Sequence, residues 1–124
     1  MLEGPLLLPS GHVVFTPPRE FDLSVASDVA AELRDLLELH RHIAVDCSHL
    51  DFLDSSGLGV LVAAHKHATD LGGAVVLCGA NRRVERLLQL TGLEQLFVQY
   101  PDTTSVHSVA PAGAWESGSV EGVG

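Results

Sequence analysis

Apolar positions along this chain follow two rhythms, one of strands and one of helices. Leu6 to Leu8 and His12 to Thr16 have strand length, with Pro9-Ser10-Gly11 between them as a hairpin turn and Pro17-Pro18 closing the second. From Val25 to about Leu39, Val29, Leu33, Leu36 and Leu37 recur at helical spacing, and Ser24 is the candidate N-cap. Ile43 to Cys47 reads as a compact buried strand. Asp54-Ser55-Ser56 then opens a second helix that runs to about Asp70, where Gly72-Gly73 stops it. Ala74 to Cys78 is a strand by its β-branched content. Asn81 caps a third helix with Val84, Leu87, Leu88 and Thr91 facing inward and Gly92 at its end, and Leu96 to Tyr100 is a last strand. After the opening hairpin the order is αβαβαβ, which favours parallel strands joined by right-handed crossovers. The pattern predicts a small α/β domain.

The rhythm fades after residue 100. Residues 101–110 hold a short helix candidate starting near Asp102, with only Val106 and Val109 as an apolar face. Beyond Pro111 the chain is small, polar and glycine-rich, apart from Trp115. The reading is one domain over residues 1–110 and a disordered tail over 111–124.

Composition narrows the function. A chain of 124 residues supports one core, and 46% hydrophobic residues with 5% aromatics build it from Leu, Val and Ala. Net charge is −9 with seven Lys and Arg, which excludes a phosphate-binding nucleic-acid surface and disfavours an anionic membrane. A basic groove on a protein partner suits it better. Cys47 and Cys78 are far apart, each in an apolar run, and read as buried thiols of a reducing compartment. Met1 to Leu8 lacks the basic start of a secretory leader, and no apolar run has the length of a membrane span, so a cytoplasmic location is expected.

The densest chemistry lies in Phe52-Leu53-Asp54-Ser55-Ser56-Gly57-Leu58-Gly59-Val60-Leu61. Two glycines sit in the first turns of a helix, where each costs about 1 kcal/mol against alanine. They suggest a backbone kept bare so that something large can approach Ser55. Two readings of Ser55 stand side by side. As N-cap it would accept a hydrogen bond from the Gly57 or Leu58 N–H. As a phosphoryl acceptor it would place the new charge at the positive end of the helix.

Enzyme motifs are missing. Leu53 stands where a nucleophile elbow needs glycine, and no histidine can be placed beside Ser55 as a base. Gly57-x-Gly59 continues to Val62, so the dinucleotide fingerprint fails, and no phosphate loop exists. No cofactor is expected. His40 with His42, and His65 with His67, are spaced by two, which puts each pair on different sides of a helix and argues against metal binding. His65 lies near the stripe of Leu58, Leu61 and Val62 and reads as a partly buried core histidine. Arg82, Arg83 and Arg86 read as a solvated helix face.

Residues 52–61 resemble the signature of the STAS domain, in particular bacterial anti-sigma factor antagonists. Glu20-Phe21-Asp22 resembles the family's Glu-Leu-Asp motif, Gly72 to Leu77 its Gly-Gly strand entry, and Val84 to Leu93 its helix ending in Thr-Gly-Leu. The likeness runs in order over about residues 6 to 100. Arg19 departs from it, standing where the family usually has glycine. The resemblance implies a mixed sheet of four to five strands with helices mainly on one face. It also implies a partner switch. The unmodified antagonist binds an anti-sigma factor that is also a serine kinase, phosphorylation ends the binding, and a serine phosphatase restores it. Carried onto this chain, the acceptor is Ser55, with Ser56 the alternative, and the switch surface comprises Asp22, Asp54, Ser56, Gly57, Leu58 and Gly59. A STAS adaptor or small-ligand module without sigma-factor control is the alternative function.

Overall fold

The computed structural model describes residues 6–106. The expected tail, Trp115 and the domain boundary at residue 110 lie outside the described residues. Six strands and three helices follow in order: β1 Val13–Phe15, β2 Glu20–Phe21, α1 Leu23–Leu39, β3 His42–Asp46, β4 Phe52–Leu53, α2 Ser55–Asp70, β5 Ala74–Cys78, α3 Arg82–Thr91 and β6 Gln99–Tyr100, with a 3-10 turn at Thr103–Ser105. Four strands form a parallel sheet in the order β1-β3-β5-β6, while β2 and β4 form a separate parallel pair. Leu7 bridges Val13 in antiparallel fashion, which makes the sheet's edge mixed.

Alternation along the central strands divides two layers. Ile43, Val45, Val75 and Leu77 face the helices, packed with Leu33 of α1, Leu61 of α2 and Leu88 of α3. Burying each such side chain stabilises the fold by about 1.5–3 kcal/mol. On the opposite face Ala44, Val76 and Cys78 are covered, among the described residues, by Leu8, Tyr100 and Val106. Cys47 belongs to the first layer and Cys78 to the second, so the two free thiols point to opposite sides of the sheet. Burial pushes the Cys47 thiol up to about 12 and that of Cys78 up to about 11, and both are inert as nucleophiles at neutral pH.

Several boundaries differ from the pattern. The Leu6–Leu8 strand is reduced to the single bridge at Leu7. Helix α1 begins at Leu23, capped by Asp22 rather than Ser24; Leu23 is exposed, and an apolar residue outside the buried stripe gives the periodicity nothing to register. The last strand covers only Gln99–Tyr100, because Glu94 to Leu96 form a turn that tucks Phe97 into the core. Thr91 is exposed, its hydroxyl donating to the Leu87 carbonyl at 2.7 Å. His40 and His42 share no helix, since His40 ends α1 and His42 opens β3. Asn81 does cap α3, accepting from the Val84 N–H at 3.0 Å. Gly92, at φ 74°, closes it in a Schellman arrangement with the Leu93 N–H on the Leu88 carbonyl at 2.9 Å.

Candidate functional site

The small parallel pair builds the site. Glu20 is in register with Phe52 and Phe21 with Leu53, and each strand runs directly into an aspartate and a helix. Asp22 and Asp54 therefore cap neighbouring helix N-termini at one end of the molecule. Asp22 accepts from the Ser24 N–H at 3.0 Å and the Ser24 hydroxyl at 2.6 Å. Asp54 accepts from the Ser56 N–H at 2.9 Å and the Gly57 N–H at 3.1 Å, and its own N–H donates to the Phe21 carbonyl at 3.3 Å. Two carboxylates thus sit on two positive helix ends.

This corrects the capping reading of Ser55. The N-cap is Asp54, and Ser55 is the first residue inside α2. With the cap supplied by its neighbour, the Ser55 hydroxyl is not needed for helix initiation, and the residue is exposed. Ser56 is half-buried.

The two glycines do different things. Gly57 is buried, and a Cβ there would stand 2.6 Å from the Phe21 carbonyl oxygen and 2.7 Å from Leu53 Cδ1. It lets α2 lie directly against the β2–β4 pair. Gly59 is exposed, and a Cβ there would meet nothing within 4 Å. Leu58 is only 3% exposed and belongs to the core. Of the residues expected on the switch surface, Gly59 is open, Asp22, Asp54 and Ser56 are half-buried, and Gly57 and Leu58 are turned inward.

Ser55, Gly59, Val62 and Lys66 follow one another along one side of α2 and, with Leu93, line an open groove of about 400 Å³. Lys66 is the chain's sole lysine. From sequence Val62 reads as part of a core stripe, Leu93 as the end of the third-helix motif and Lys66 as a plain polar position, although the spacing from Ser55 through Gly59 to Val62 and Lys66 marks a single helical face.

The histidines lie elsewhere. His65 Nδ1 accepts the Val75 N–H at 3.2 Å and its ring lies 5.3 Å from that of Phe97, the partly buried core position its spacing predicts. His12 meets His42 edge-on at 5.6 Å, and the Ser10 hydroxyl lies 3.0 Å from His12 Nδ1. That pair follows from the register of β1 with β3. Among the described residues no three His, Cys, Asp or Glu side chains gather as a metal site. Arg82 and Arg86 are exposed on α3, while Arg83 donates to the Asp51 carbonyl at 2.8 Å. The Arg19 carbonyl accepts the Asp51 and Phe52 N–H groups, bonds that any residue at position 19 would supply, and the departure itself adds an exposed ion pair with Asp51 at 3.0 Å. No helix among the described residues is long and apolar enough to cross a membrane.

The chain is 39% identical over 59 residues to the anti-sigma F factor antagonist of Paenibacillus polymyxa, covering 48% of this chain and 50% of that one. It is 30% identical over 84 residues to the anti-sigma-B factor antagonist of Listeria monocytogenes, covering 60% of this chain and 74% of that one. The aligned part thus spans half the length of the first relative and about three quarters of the second. The crystal structure of a candidate anti-sigma factor antagonist from Thermotoga maritima superposes with a TM-score of 0.71 at 25% identity, covering 92% of each chain. The STAS domain model matches residues 7–108, most of the sequence and nearly all of the described fold. The chain belongs to the STAS domain family.

Proposed function

We propose that this chain is an anti-sigma factor antagonist switched by phosphorylation of Ser55. The unmodified form binds an anti-sigma factor that is also a serine kinase and so releases the sigma factor. The Ser55 hydroxyl oxygen then takes the γ-phosphoryl group of ATP held by that kinase; the hydroxyl proton is released and ADP leaves. A serine phosphatase hydrolyses the ester and restores binding. In this role the chain is a binding protein and a substrate, not an enzyme, and it works in the cytoplasm. The names of its relatives support the class of function.

One observation carries the assignment to Ser55. It is an exposed serine at the first position of α2 whose capping duty Asp54 has taken over. Phosphate adds about −1.5 to −2 charges there. The helix N-terminus tolerates them, so the fold survives. Docking a partner strips water from the new charge and so strengthens its repulsion from Asp22 and Asp54 at the same end, a cost the free chain does not meet. Like charges brought together in an interface cost several kcal/mol, and about 4 kcal/mol is a thousandfold in affinity. The docking surface is the groove from Ser55 past Gly59, with Gly57 acting indirectly by seating the helix.

The test is incubation with the cognate anti-sigma factor and ATP. Mass spectrometry should find one phosphate on Ser55, and Ser55→Ala should stay bound when ATP is added. Phosphate on Ser56 alone, or release of the alanine variant by ATP, would overturn the assignment.

A further inference from the structure

Helix α1 carries carboxylates that its own fold does not use. Asp28, Glu32 and Asp35 are spaced along one side of the helix, Glu38 follows in the last turn, and all four are exposed. The ion pair among the described residues joins Arg19 to Asp51, away from this stripe. No basic residue lies in the last turn of α1, although a helix C-terminus favours cations and is weakened by acids. Among the described residues no ion pair takes up this charge, Arg34 being the one basic residue on α1, and helix stability does not account for it either.

The stripe borders an apolar groove of about 510 Å³ between α1 and β1. Val14, Phe15 and Leu36 line it, Glu32 and Asp35 stand at its rim, and Leu39 projects beside it at 81% exposure. The outer edge of β1 is already occupied, since Leu7 bridges Val13 and the Val14 N–H donates to the Leu6 carbonyl at 2.9 Å. Strand addition is therefore blocked there, and an occupant must pack through side chains. A second copy would bring the same −9 charge and the same acidic stripe. The groove shares no residue with the one at Ser55.

We propose that the α1–β1 groove is a second docking surface, taking a basic amphipathic helix of a protein partner. Its apolar side chains would lie over Val14 and Leu36, and its lysines or arginines along Glu32 and Asp35. The proposal stands independently of Ser55 and its modification.

The test uses the full chain, ¹⁵N-labelled, titrated with an amphipathic leucine–lysine peptide of helical spacing and with its leucine–glutamate counterpart. The lysine peptide should shift the amides of Val14, Glu32, Asp35, Leu36 and Leu39, and added salt should weaken it. Glu32→Lys with Asp35→Lys should lower its affinity by at least about tenfold. Leu39→Ser should weaken it without added charge. All three positions are exposed, so these variants should melt like the parent chain. No binding, equal binding of the glutamate peptide, shifts centred on Ser55, Gly59 and Lys66, or undiminished affinity after charge reversal would each overturn the proposal.

Discussion

Gly57 and Gly59 show how finely single residues divide their work. The sequence suggests one role for both, a bare backbone at the helix entry. Two residues along a helix are about 200° apart, so they face opposite ways. Gly57 falls in line with the buried Leu61, Ala64 and Ala68, and this alignment is present in the sequence once the helix phase is taken from those residues. Gly57→Ala should lower stability by about 1–3 kcal/mol, because the methyl group meets backbone at Phe21. Gly59→Ala should raise it by up to about 1 kcal/mol, because nothing opposes the methyl and alanine favours the helix. Urea unfolding of the two variants checks this, and equal effects would contradict the division. What the sequence could not supply is Phe21, whose carbonyl approaches Gly57 from 36 residues away.

At the scale of elements, the site rests on repetition of one unit: short strand, aspartate, helix. The five-residue strand Ala74–Cys78 and the Asn81 cap are legible in sequence because period and capping chemistry are local. Strands β2 and β4 have two residues each and carry no period, so they are visible only when paired. Their pairing is what sets Asp22 beside Asp54. Asp54→Ala should cost about 0.5–2 kcal/mol and speed hydrogen exchange at the Ser56 and Gly57 amides, whereas Asp54→Asn should keep most of the protection. Unchanged exchange in the alanine variant would mean that the carboxylate does not cap α2.

At the scale of the whole molecule, stability should depend on pH through histidines that tertiary contacts surround. Burial lowers the pKa of His12, His42 and His65; His42 beside His12 and Arg41 beside His42 lower the first two further. The unfolded chain then takes up protons near about pH 6.5, before the folded one does, so stability is lost as pH falls from there through the lower folded values. The urea midpoint should drop between about pH 7.5 and pH 5, less steeply in His12→Gln; a midpoint that rises on acidification would contradict the sign. By itself the sequence determined the apolar stripes of three helices, the Asn81 cap, the α/β order and a serine at the opening of the second helix. These depend on residues within a few positions of one another. Tertiary structure decided the strand register, the close approach of the Phe21 carbonyl to Gly57, the opposed thiols and the His12–His42 contact. Those follow from surfaces that distant segments present to each other, and no local pattern encodes them.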